Sequence, residues 1–136
     1  MKRTSRWTLP VVVLLGLPMV GSTGSQTDKA ATGQQALPEG VTAALIEEGK
    51  TLFHGDALCA SCHGQEGIGT PIGPSFADTT WLHIDGSYPA IVQLINDGVP
   101  TPKESMVPML PKGGSAITDA QVSAVAAYVW RLSHGS

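Results

Sequence analysis

Apolar positions return every three or four residues in three stretches of the chain and never settle into strict alternation, so the pattern predicts helices and no sheet. The first helix is predicted over residues 41–53, where Val41, Leu45, Ile46, Gly49, Leu52 and Phe53 share one face. A glycine in mid-helix costs about 1 kcal/mol against alanine, so Gly49 is read as a point where another helix crosses closely. The second helix is predicted between Ser87, which would cap free amides, and Gly98, a left-handed stop. Pro89 falls in its first turn, where a missing N–H does no harm, and Ile91, Val92, Leu94 and Ile95 follow. The last helix has the clearest signals. Thr118 and Gln121 have capping-box spacing, Val122, Val125, Ala126, Val129 and Leu132 form a stripe, and Tyr128 and Trp130 flank it.

About 30 residues rich in Gly, Pro and Thr separate the first two helices, and residues 100–115 form a second Pro/Gly-rich stretch. Loops this long make sense in a small domain if they wrap a bulky cofactor whose surface stands in for secondary structure. Ahead of the helices, residues 1–22 read as a signal peptide. Lys2, Arg3 and Arg6 precede an apolar run over residues 7–20, and small residues follow, with cleavage expected after Ser22. The run contains Pro10 and Pro18 and falls short of the roughly 20 apolar residues that span a bilayer. An uncleaved N-terminus would give loose membrane association. Residues 23–37, dominated by Gly, Ser, Thr, Gln and Ala, read as a flexible linker. Residues 38–136 then form the single domain, of a size that is marginal without an added staple.

Setting Lys2, Arg3 and Arg6 aside leaves five cations against 11 acids, a formal charge near −6. That excludes nucleic acid as a partner, because phosphate binding needs a basic face. It favours partner proteins with a basic docking patch.

The two cysteines of the chain fall in Cys59-Ala60-Ser61-Cys62-His63. Two thiols at this spacing suit addition to the two vinyl groups on a porphyrin edge, and the next histidine then lies under the iron as its proximal ligand. A simple disulfide, a thioredoxin-like pair and half a zinc site compete with this reading. A zinc site needs four ligands and the chain has no second cysteine pair. A thioredoxin-like motif belongs beside a βαβ unit, and none is predicted. A disulfide makes no use of His63. For the opposite axial position a methionine thioether favours reduced iron, and Met106 and Met109, both in the second long loop, are the candidates. His54, His83 and His134 are read as surface or structural residues, with ligation by His83 as an alternative. Trp81 is read as core, or as packing on the haem or shielding one of its propionates.

Over residues 49–133 the sequence resembles the class I cytochrome c family. Gly49 and Phe53 match the family's Gly and aromatic on a first helix that packs on the last helix near its Tyr, here Tyr128. Gly73-Pro74 matches a segment whose Pro carbonyl accepts a hydrogen bond from the proximal histidine, fixing its tautomer. Met109-Leu110-Pro111-Lys112-Gly113-Gly114 resembles the axial-methionine loop, with Leu110 where the family often has Pro. The resemblance implies an all-α, small cytochrome c fold, with three to four helices wrapped around one covalent haem c. It implies Cys59, Cys62 and Pro74 at the haem, with His63 and Met109 on the iron in preference to Met106.

The function expected is that of an exported, periplasmic, single-haem carrier. It would shuttle electrons between redox partner proteins of a respiratory or dehydrogenase chain, and would be neither an enzyme nor a binder of a small-molecule substrate. Two alternatives stand beside it: a gas sensor or small peroxidase with a labile sixth ligand, and a fixed subunit of a periplasmic oxidoreductase complex.

Overall fold

Four α-helices and one kinked 3₁₀ turn account for the regular structure in the computed structural model, which describes residues 35–135. The expected signal peptide and most of the linker lie outside the described residues. Helix α1 spans Ala43–His54, α2 Cys59–His63, α3 Tyr88–Asp97 and α4 Asp119–His134, with the 3₁₀ turn at Pro111–Gly114. Among the described residues no helix is long and apolar enough to cross a membrane.

Local chemistry sets the helix ends. Thr42 caps α1 by accepting a hydrogen bond from Leu45 N–H at 3.1 Å. Val41 therefore lies just outside the helix, where it is still buried with Ile46 in the core. Thr118 and Gln121 form the expected reciprocal box at the start of α4. The expectation for α3 needs two corrections. Ser87 occupies the capping position but its side chain caps nothing, and its own N–H donates instead to Asp85 Oδ1 at 2.9 Å. Gly98 ends the helix at φ 69° and ψ −169°, an extended conformation that only glycine adopts readily, and not the left-handed helical stop expected.

The centre of the domain is α4. Ala124 to Trp130 are buried on every side, far more than a single stripe, because α1 and α3 both pack against this helix. The α1–α4 crossing depends on Gly49. A Cβ there would overlap the Ala124 carbonyl oxygen and sit 3.0 Å from Tyr128 Cβ. Gly49→Ala thus sets a helix-propensity gain of about 1 kcal/mol against a backbone clash that α4 cannot rotate away. The clash should dominate, with a net loss of about 3 kcal/mol in denaturant unfolding of the haem-loaded protein. An unchanged unfolding midpoint would contradict the close crossing. Phe53, fully buried beside this contact, stacks edge-on to Tyr128 at 5.3 Å and to Phe76 at 5.9 Å. That aromatic line leads from the helix crossing to the two long loops.

Candidate functional site

A left-handed residue starts the site. Leu58, at φ 59° and ψ 10°, turns the chain sharply from the end of α1 into α2, a conformation that costs a branched side chain roughly 1 kcal/mol or more. The turn places Cys59, Cys62 and His63 on the wall of an apolar cavity of about 280 Å³. Pro74 and Met109 line the same cavity, so the five residues expected at the site come together. Both thiols are free, with Cys59 half-buried and Cys62 exposed. Burial, reinforced by the neighbouring Cys62 and partly offset by a backbone hydrogen bond, pushes the Cys59 thiol up to about 11, so it is protonated at neutral pH.

His63 is held by the loop that follows. Gly69 N–H donates to His63 O at 2.8 Å, the Thr70 hydroxyl donates to Cys62 O, and Thr70 and Gly73 pair across a tight turn. A Cβ on Gly73 would lie 2.6 Å from Cys62 O and 3.2 Å from His63 Nδ1, so only glycine lets the loop approach this closely. The approach delivers the Pro74 carbonyl to His63, whose Nδ1–H donates to it at 2.9 Å. That bond fixes the tautomer and leaves Nε2 with its lone pair. Burial lowers the His63 pKa from its usual value and the Pro74 contact opposes this only in part, so the ring is neutral, as a metal ligand must be. Phe76 packs against the ring at 4.8 Å, joining it to the Phe53 line.

Met109 enters from the other long loop. Its N–H donates to Val99 O at 3.1 Å and Val99 N–H donates to Met109 O at 2.8 Å, an isolated antiparallel pair. The side chain packs against the core, whereas Met106 is 98% exposed and does not line the cavity. The geometry thus favours Met109. Of the other histidines, His83 lines the cavity mouth, but its Nε2 accepts from Lys103 N–H at 3.3 Å. His54 spans the Lys50 and Gln65 carbonyls, and His134 stacks on Trp130.

Two features had no signal in the sequence. The Trp81 indole N–H is buried at the cavity without a hydrogen-bond partner among the described residues. Ser105 ties the two long loops together, its hydroxyl donating to Ile72 O at 3.0 Å while accepting from Val107 N–H at 3.1 Å. The first is defined by a missing partner and the second joins residues far apart in sequence, which no local pattern reveals.

These residues fit a haem c. Two free thiols share one wall, an imidazole lone pair and a thioether are available at one cavity, the lining is predominantly apolar, and an orphaned N–H awaits an acceptor.

Comparison with known proteins points the same way. A family model for cytochrome c matches residues 46–133. The Cbb3-type cytochrome c oxidase subunit FixP of Sinorhizobium medicae is 36% identical over 94 residues, which is 67% of this chain and 29% of that protein. The CcoP subunit of Rubrivivax gelatinosus is 30% identical over 129 residues, 88% of this chain and 37% of that one. That of Cereibacter sphaeroides is 30% identical over 95 residues, 68% and 29%. The chain thus spans about a third of the length of these relatives. In fold, it resembles cytochrome cL of Methylophaga aminisulfidivorans, with a TM-score of 0.50 and 23% identity over 63% of this chain and 53% of that one. The matched segment contains Cys59, Cys62, His63, Pro74 and Met109 with the helices that enclose their cavity, and on that ground the chain belongs to the cytochrome c family.

Proposed function

We propose that this protein is an exported, periplasmic electron carrier holding one haem c per chain, joined to Cys59 and Cys62 and ligated by His63 and Met109. The observation that carries this reading is that the His63 imidazole, held by Pro74, and the Met109 side chain, on a backbone paired with Val99, line one cavity, so the chain itself would supply two ligands to the iron. The haem, when bound, supplies an iron that gains and loses one electron. The chain's residues do the rest. Pro74 keeps the His63 ring from rotating, and the Val99 pair restrains the Met109 backbone, which keeps ligand movement small on a change of charge. The apolar walls exclude water and raise the potential.

Leu58, Ile72, Val107 and Leu110 line the cavity and are each 44–59% exposed, an uncharged rim against which a redox partner can desolvate. With His63 and Met109 both holding the iron, no position would be left open for a substrate, which supports a carrier over an enzyme. A second reading, a fixed subunit of an oxidase complex, draws support from the Cbb3-type oxidase subunits among the relatives.

Carbon monoxide and peroxide separate carrier from sensor or peroxidase. The purified ferrous protein is expected to stay spectrally unchanged under carbon monoxide, to titrate as a single one-electron couple, and to consume no peroxide catalytically. Prompt carbon monoxide binding would place the protein among the sensors or peroxidases.

A further inference from the structure

The reading of Met109 as an iron ligand leaves open what selects it over Met106, three residues away in the same loop. Gly98 answers this from beneath the loop that bears Met109. It ends α3, directly before Val99, and its φ of 69° with ψ of −169° lies in a region that only glycine occupies readily. The strand of chain bearing Met109 passes tightly over it. A Cβ on Gly98 would overlap the Met109 carbonyl oxygen and lie 2.7 Å from Pro111 N and 2.8 Å from Leu110 C. All three are backbone atoms, so no side-chain rotation relieves the overlap. The Met109 carbonyl is also the acceptor for Val99 N–H, at 2.8 Å, and moving it away from Gly98 breaks that bond and its reciprocal at 3.1 Å.

We propose that Gly98 is a positioning residue for the axial ligand. Its missing side chain seats the Met109–Pro111 backbone against the end of α3, and the paired Val99–Met109 hydrogen bonds lock that seat so that Met109, and not Met106, faces the iron. The proposal rests on Met109 being the ligand. It adds that the seat, and not the thioether bond alone, holds the ligand in place. Two further ties bound the loop without setting its register: Ser105 holds its near side to Ile72 O, and Lys112 reaches Ile117 O and Asp119 beyond its far side.

The test compares Gly98→Ala with Gly40→Ala in the haem-loaded protein. Gly40 also has a positive φ, 79°, but a Cβ there meets nothing within 4 Å, so it controls for replacing a positive-φ glycine without the clash. Gly98→Ala is expected to keep covalent haem and helical circular dichroism, and to lose the long-wavelength absorption band of thioether-ligated ferric haem. It should also bind added imidazole about tenfold more tightly, since apparent affinity follows the fraction of molecules whose iron is open. Gly40→Ala should match the parent in both respects. If Gly98→Ala retains the band and the parent's imidazole affinity, the proposal is overturned.

A second measurement needs no variant. When imidazole saturates the parent protein, the amide hydrogens of Val99 and Met109 should lose their exchange protection together. Full protection of both with imidazole on the iron would also overturn it. Met109→Ala separates this failure from failure of the underlying reading. A band that survives Met109→Ala removes Met109 as ligand, whereas a band lost in Met109→Ala but kept in Gly98→Ala removes only the role of Gly98.

Discussion

Replacing Cys59 and Cys62 together by alanine is expected to leave the protein without covalent haem and with little of its fold. The cavity they border is built into the core, since Phe53, Ile91, Val125 and Val129 form part of its lining and are also core residues. Without its occupant, this open apolar cavity of about 280 Å³ leaves core side chains facing water. A domain of this size has a net stability of only about 5–15 kcal/mol. Losing the covalently held group exposes that apolar lining in a chain whose loops contribute few regular hydrogen bonds. The double variant, expressed with the haem-attachment machinery present, should lose more than half its helical circular dichroism and be proteolysed quickly. A stable, helical, colourless double variant would contradict the staple argument.

The second large effect is expected from Met109→Ala. Removing the thioether exposes the iron to water and to added ligands, and it takes away the ligand that favours the reduced state. A tenfold to hundredfold shift in that preference lowers the potential by about 60–120 mV for a one-electron couple. Met106→Ala should change neither quantity, because that side chain is 98% exposed and does not line the cavity. The pair of variants is best followed by voltammetry and imidazole titration side by side. If the Met106 variant shifts and the Met109 variant does not, the loop register is misassigned.

Much of this architecture was legible in the sequence because its signals are local. The capping pair Thr118 and Gln121, the 3.6-residue periodicity of α1 and α4, and the Cys59 to His63 spacing are each contained in a few consecutive residues, and all three appear in the fold. Gly49 was legible too, since a costly glycine on an apolar face has few explanations, and its overlap with Ala124 supplies the expected one. The short helix α2 was not anticipated as a helix, because five residues contain too little periodicity to register. Ser87 stands at the capping position without its hydroxyl capping the helix, and Asp85 Oδ1 accepts its N–H in a local turn, an outcome that composition does not decide. The Gly98 seat, the Ser105 tie and the orphaned Trp81 N–H were invisible for a different reason. Each is defined by a partner or cavity wall far away in the chain, and only the folded loops bring them together.

The sixth ligand bears the most weight, because a filled iron makes an electron carrier and an open one makes a sensor or peroxidase. The visible absorption spectrum of the purified ferric protein reads it directly. The account predicts the weak long-wavelength band of a haem bound by imidazole and thioether, present in the parent and in Met106→Ala and absent from Met109→Ala. A parent protein without that band at neutral pH, or one that keeps it after Met109→Ala, would contradict the account.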